Sequence, residues 1–165
     1  MAEPPSIPSP DSPTVEVSED DAWMLRALEL ARRAEACGEV PVGAVIVRDG
    51  RVLGEGHNRT VAESDPTAHA EVQAIRAAGE EVGDWRLTDT TLYVSLEPCA
   101  MCAGAIVLAR IPRVVYAAHD PKAGMAGSLE NLLEDSRLNH RCEVRAGVRA
   151  TEAATMLKAF FKARR

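Results

Sequence analysis

Two short segments of this 165-residue chain contain residue types that bind metal ions and transfer protons. His69 and Glu71 lie in the first segment, which reads Pro-Thr-Ala-His-Ala-Glu. Cys99 and Cys102 lie in the second, spaced as C-x-x-C. One imidazole and two thiolates form a ligand set that zinc binds tetrahedrally, and three protein ligands leave a fourth position for water. Zinc lowers the pKa of such a water toward about 7, so the pattern predicts a catalytic centre with one Zn²⁺ per chain.

Glu71 is the candidate catalytic residue, because the three ligands are sufficient without it. A carboxylate beside an activated water can accept a proton and return it. C-x-x-C alone is also typical of redox pairs and of structural zinc sites. A structural site would need a fourth ligand such as Cys37 or Cys142 and would not need a proton carrier.

Local signals predict that two helices position these residues. Asp65 and Pro66 are typical of an N-cap and a first helical position, so we predict a helix from Pro66 to about Glu81. Pro98 precedes the cysteines in the same way, which predicts a second helix over about Cys99–Ala109.

The spacing of His69 and Glu71 restricts how the first helix can meet the metal. Residues two apart on a helix point to nearly opposite sides. Both can reach one metal-bound water only if the helix approaches end-on, with these residues in its first turn. The 29 residues between His69 and Cys99 are enough for one helix, a loop and one strand.

Strands and helices alternate along the rest of the chain. Runs rich in β-branched residues predict strands near residues 43–47, 51–55, 91–96, 113–118 and 142–148. Arg48-Asp49-Gly50 predicts a hairpin turn between the first two strands. Further helices are predicted near residues 18–37, 129–133 and 151–165. This order predicts an α/β fold with a mixed five-stranded sheet and helices on both faces.

Length and composition bound the class of protein. A chain with 46% hydrophobic residues can build one core, and we predict one domain over residues 19–165. Residues 1–18 are rich in Pro and Ser and acidic, which predicts a disordered tail. No apolar run is long enough for a membrane span and no secretory signal is evident, so we expect no membrane partner and a cytoplasmic location.

The net charge of −6 is unevenly distributed. The first 21 residues contain six acidic residues and no Lys or Arg, so the remainder is neutral. Nucleic-acid binding would therefore depend on a local basic patch. The candidates are the C-terminal bases Lys158, Lys162, Arg164 and Arg165. A solvated helix end that complements the helix dipole explains these bases equally well.

His-Ala-Glu followed by Pro-Cys-x-x-Cys is similar to the signature of zinc nucleobase deaminases. Flanking segments extend the similarity to bacterial tRNA adenosine deaminases over about Asp20–Arg165; they are residues 39–44, 54–59, 65–71, 91–99, 101–105, 126–129 and 160–165. The resemblance implies a three-layer α/β/α cytidine-deaminase-like fold and a zinc cofactor. It also implies hydrolysis of adenosine to inosine at the wobble position of a tRNA anticodon, by a homodimer that binds the anticodon stem-loop.

The resemblance also assigns five residues to substrate binding: Asn58, Ala70, Asp120, Lys122 and Phe161. By itself Asn58 favours a turn after a strand, whereas within the full motif a substrate contact is favoured, since its amide could both donate to and accept from a purine or ribose. Asp120 and Lys122 also suit a polar loop. For Phe161, packing in the core is the default expectation, and stacking on a substrate base is the alternative. His119 stands where the family pattern has arginine.

Free cytosine, cytidine and guanine deaminases use the same zinc chemistry, so the metal motif does not separate them from a tRNA deaminase. The flanking segments and the C-terminal Phe-Phe-Lys-x-Arg-Arg favour tRNA.

Overall fold

A computed structural model of the chain describes residues 17–165, so the predicted tail lies almost wholly outside the described residues. The helices are α1 (Glu19–Ala36), α2 (Thr60–Glu63), α3 (Ala70–Val82), α4 (Ala100–Leu108) and α5 (Ala150–Lys162). The strands are β1 (Gly43–Arg48), β2 (Arg51–His57), β3 (Thr91–Leu96), β4 (Arg113–Ala118) and β5 (Glu143–Ala146). A 3₁₀ turn covers Leu132–Glu134. Within residues 17–165 no helix has the length and apolarity that crossing a membrane requires.

The five strands form one mixed sheet in the order β2-β1-β3-β4-β5. β1 is antiparallel to both β2 and β3, whereas β3, β4 and β5 are parallel. α4 is the crossover between the parallel strands β3 and β4, which brings the ends of both strands to one edge of the sheet. The predicted mixed five-stranded sheet is confirmed.

Helices cover both faces of this sheet, as predicted. Ala44 and Ile46 of β1 belong to the core beneath α3 and α4. Val45 and Val47 belong to the core beneath α1 and α5. Successive side chains of a strand point to opposite faces, so a strand buried on both faces is apolar throughout. The protein therefore has the three-layer α/β/α architecture.

α3 packs directly on β2 because β2 has glycine where the two backbones meet. A Cβ atom on Gly54 would lie 2.4 Å from the carbonyl oxygen of Ala74. A Cβ atom on Gly56 would lie 2.3 Å from the carbonyl oxygen of Ala70. This close approach determines where the N-terminus of α3 lies relative to the end of β2.

The predicted start of this helix at Pro66 is wrong, since α3 begins at Ala70. Asp65 does not cap the helix; its Oδ1 accepts hydrogen bonds from the backbone N–H and the hydroxyl of Thr67, at 2.8 and 2.7 Å. Asp65 thus stabilises an Asx turn around Pro66. His69, in an extended conformation, takes the N-cap position.

Candidate active site

His69, Cys99 and Cys102 come together although two separate elements supply them. Their ligand atoms all lie within 4.8 Å of one another. His69 Nδ1 is 3.7 Å from Cys99 Sγ and 3.5 Å from Cys102 Sγ. Zinc bonds of about 2.0 Å to nitrogen and 2.3 Å to sulfur at the tetrahedral angle separate the two ligand atoms by about 3.5 Å. The three residues, hereafter the ligand cluster, therefore fit a zinc ion.

Two helix N-termini point at the ligand cluster. His69 is the N-cap of α3 and Cys99 is the N-cap of α4, each with extended backbone angles. Cys102 follows in the first turn of α4. α3 thus meets the cluster end-on, as the spacing of His69 and Glu71 requires. The positive ends of both helix dipoles favour thiolates at this point.

The three side chains shift one another's pKa values. Hydrogen bonds with Cys102 and His69 lower the pKa of Cys99 to about 3. The same contact with Cys99, together with burial, raises the pKa of Cys102. The hydrogen bond with Cys99 also raises the pKa of His69. A divalent cation bound to the ligand cluster would displace the thiol protons and hold both sulfurs as thiolates.

Glu71 lies beside the ligand cluster and is buried. The Cys102 thiol donates to Glu71 Oε2 at 3.4 Å. Burial raises the pKa of Glu71 to about 7, because it disfavours the charged form. A carboxyl group with a pKa near neutrality can both accept and return a proton.

Asn58 is held by the helix that carries the histidine. Its side-chain Oδ1 accepts from the backbone N–H of Ala70 at 2.9 Å, and its backbone N–H donates to the carbonyl of Val42 at 3.2 Å. Because a backbone N–H only donates, this contact directs the amide oxygen inward and leaves the NH₂ group as a donor. Ala70 is fully buried. Its predicted contact with substrate stays a prediction.

Glu39 holds the segment next to Asn58, a role that no sequence pattern predicted. Its buried carboxylate accepts from the backbone N–H groups of Val61 and Ala62, at 3.2 and 2.8 Å, and from the Thr60 hydroxyl at 3.1 Å. Glu39 therefore caps α2 and fixes the segment that follows Asn58. A lone acidic residue before Val-Pro-Val is the only signal that could have indicated this role.

The other predicted substrate residues lie on a loop and on α5. Asp120 Oδ1 accepts from the backbone N–H groups of Lys122 and Ala123, at 3.1 and 3.2 Å. Lys122 is exposed. Phe161 is 47% exposed, so it does not belong to the core, whereas Phe160 is buried.

The cysteines considered as a fourth ligand lie elsewhere. Cys37 is exposed, and the thiol of the buried Cys142 donates to the carbonyl of Ile111 at 3.1 Å. Among residues 17–165 neither cysteine belongs to the ligand cluster. This arrangement favours a three-ligand catalytic site over a structural one.

Comparisons with known proteins agree with this chemistry. A family model for MafB19-like deaminases matches residues 18–165. The chain is 49% identical to a tRNA-specific adenosine deaminase of Haemophilus influenzae, over 94% of this chain and 90% of that protein. A solved structure from studies of A-to-I editing by tRNA:A34 deaminases matches with a TM-score of 0.80 and 46% identity, over 82% of this chain and 99% of that one. A guanine deaminase from Nitrosomonas europaea matches at 25% identity and a TM-score of 0.76, over 97% of each chain.

Proposed function

Since this chain belongs to the family of tRNA-specific adenosine deaminases, we propose that it converts adenosine to inosine at the wobble position of a tRNA anticodon. The observation that carries the proposal is a buried Glu71 beside three metal-ligating side chains. Water replaces the amino group at C6 of adenine, and ammonia leaves.

His69, Cys99 and Cys102 would hold the metal ion, in keeping with their N···S distances. Bound there, zinc would supply Lewis acidity that lowers the pKa of a water molecule. A three-ligand set suits this role because it leaves room for that water.

Glu71 moves the protons in the proposed reaction. Its carboxylate takes a proton from the attacking water and delivers it to the ring nitrogen adjacent to C6. It then assists proton transfer to the departing amino group, which is released as ammonia. Its burial supports this role, because burial raises the pKa of a carboxyl group and so helps it hold a proton between the two transfers.

Four of the remaining predicted residues suit contacts with an RNA loop. The free NH₂ group of Asn58 would donate to an acceptor on the base or ribose. Lys122 would meet a phosphate, Asp120 would border the ribose, and Phe161 offers an exposed ring for stacking. A wobble base must leave the loop stack to reach a buried site, so the enzyme would read loop shape as well as the base.

We also propose that the chain acts as a homodimer in the cytoplasm, where its tRNA substrate is. The family resemblance implies the dimer. Light scattering coupled to size-exclusion chromatography measures the assembly directly.

A free guanine deaminase is the second candidate, favoured by the shared fold over nearly the whole chain. The two candidates predict different substrates. We expect the zinc-loaded protein to form inosine in an anticodon stem-loop with a wobble adenosine, read by mass spectrometry of digested RNA. Guanine, cytidine and free adenosine, assayed by ammonia release, are expected to react far more slowly. Faster turnover of guanine than of the stem-loop would overturn the proposal.

A further inference from the structure

Glu97 is a buried carboxylate that the proposed reaction does not use. Its side chain has no exposed surface. The Ser128 hydroxyl donates to Glu97 Oε1 at 2.6 Å, and the Ser128 backbone N–H donates to Oε2 at 3.3 Å. His119 Nδ1 lies 3.3 Å from Oε1. Every one of these partners belongs to the loop of residues 119–128, which follows β4.

Glycine allows this loop to approach the carboxylate closely. A Cβ atom on Gly124 would lie 1.5 Å from Glu97 Oε2 and 2.6 Å from the carbonyl oxygen of Asp120. The N–H of Gly124 donates to that same Asp120 carbonyl at 2.9 Å. The turn that contains Asp120 and Lys122 is thus packed against Glu97 without intervening space.

The fastened loop lies next to the ligand cluster. The N–H of Met125 donates to the carbonyl of Pro98 at 2.8 Å, and Pro98 immediately precedes the ligand Cys99. Outside these inner contacts the loop is exposed at Pro121, Lys122 and Ala123. A hydrogen-bonded inner side and an exposed lysine on the outer side suit a turn that contacts a phosphate beside an active site.

We propose that Glu97 is a positioning residue that, through Ser128 and Gly124, holds the loop of residues 119–128 so that Lys122 meets a substrate phosphate. The inference rests on the proposed RNA substrate. His119, whose side chain is 59% exposed, also contacts this network: its Nδ1 lies 3.3 Å from Glu97 Oε1 and 3.2 Å from the Tyr116 hydroxyl.

Ser128→Ala tests the proposal without changing a residue next to a metal ligand. The variant removes the shortest hydrogen bond to Glu97 and should raise the Michaelis constant for the anticodon stem-loop by about fivefold to tenfold. Zinc content, measured by metal analysis, should stay at the wild-type level, and kcat should stay within about twofold.

A double-mutant cycle separates positioning from general destabilisation. Lys122→Ala should raise the Michaelis constant severalfold in the wild type and by less than about twofold in Ser128→Ala, since the loosened loop no longer presents the lysine. Lys158→Ala, an exposed base on α5, should have equal effects in both backgrounds. Equal effects of Lys122→Ala in both backgrounds, or no effect in the wild type, would overturn the inference. A wild-type protein that fails to deaminate the stem-loop would instead overturn the proposed function.

A pair of glycine variants provides an independent measurement. Gly124→Ala places a methyl group against Glu97 and should raise the Michaelis constant at least as much as Ser128→Ala. Gly79→Ala is the matched control, because a Cβ atom there meets only the carbonyl oxygen of Asp84, at 3.5 Å, and alanine suits a helix. Indistinguishable Michaelis constants for the two glycine variants would contradict the proposal.

Discussion

At the scale of single residues, two buried carboxylates, Glu71 and Glu39, have pKa values shifted in opposite directions. Glu71 is buried beside the ligand cluster, and burial raises its pKa to about 7. Glu39 is also buried, yet its pKa is lowered: burial raises it, but hydrogen bonds from the start of α2 outweigh that effect. The first group can therefore exchange a proton near neutral pH, while the second stays charged and holds the backbone.

Replacing Glu71 tests its proton transfer. Glu71→Gln keeps the size of the side chain and removes the proton acceptor, so we expect kcat to fall by at least about 10²- to 10⁴-fold. Zinc content should be unchanged, because the ligand cluster is intact. Cys99→Ala is the matched comparison, since it removes a ligand and should lose zinc as well as activity. Metal analysis and single-turnover kinetics give both values, and a Glu71→Gln enzyme with near-normal turnover and bound zinc would contradict the mechanism.

At the scale of elements, one buried aspartate joins α1 to three strands of the sheet. Asp20, in the first turn of α1, accepts from the Tyr93 hydroxyl of β3 at 2.8 Å. Two nitrogens of Arg113 in β4 donate to it at 2.8 and 2.9 Å, and Arg145 in β5 donates as well. The pKa of Asp20 is lowered, chiefly by Arg113. These bonds fasten α1 to the sheet through residues that come 73 to 125 positions later in the chain.

Asp20→Asn should destabilise the fold in a pH-dependent way. An amide cannot pair with both guanidinium groups, so we expect a loss of about 1–3 kcal/mol in the free energy of unfolding at pH 7. The pKa of Asp20 is lower in the folded state, so its contribution is complete above the unfolded pKa of about 3.9 and disappears as pH falls through the folded pKa.

Urea unfolding at pH 7 and near pH 3 measures this difference. The gap between wild type and Asp20→Asn should narrow in acid. Glu19→Gln is the control, because Glu19 is exposed in the same first turn of α1; its change should stay within about 0.5 kcal/mol. A gap that is equal at both pH values would show that Asp20 acts by packing and not by charge.

At the scale of the whole molecule, the basic C-terminus lies beyond the apolar stripe of α5. Phe160 is buried and Arg164 stacks over its ring at 3.5 Å, so this arginine contributes to packing. Lys162 and Arg165 are exposed, and no described acidic group pairs with them. These two bases are free to meet phosphates.

Neutralising these bases tests their contact with RNA. The double variant Lys162→Gln, Arg165→Gln should bind tRNA more weakly, and the slope of log affinity against log salt should fall by about 1.5 because fewer counterions are released. Arg51→Gln is the control, since Arg51 starts β2 at the end away from Asn58 and pairs with Glu81. Affinity across a salt series measures the slopes. Identical slopes for wild type and the double variant would show that these bases do not contact RNA and only complement the dipole of α5.

The sequence by itself predicted which residues meet in the ligand cluster and the mixed five-stranded architecture. Ligand types and C-x-x-C spacing depend only on local order, and the alternation of apolar residues predicts layers because side-chain direction follows strand geometry. The start of α3 was predicted wrongly, since Asp65 and Pro66 suit an Asx turn as well as a helix N-terminus. Local signals leave such a choice open.

Only the tertiary structure decided how the site is held together. Glu97 meets Ser128 across 31 positions, and Glu39 meets Ala62 across 23. The orientation of the Asn58 amide likewise depends on a backbone N–H that lies 12 residues away. Capping and periodicity act over a few residues, whereas these contacts depend on how separate loops return to one edge of the sheet. A glutamate looks the same in the sequence whether it carries protons, as Glu71 does in the proposed reaction, or fixes a loop. Burial and the hydrogen-bond donors around the carboxylate decide between these two roles.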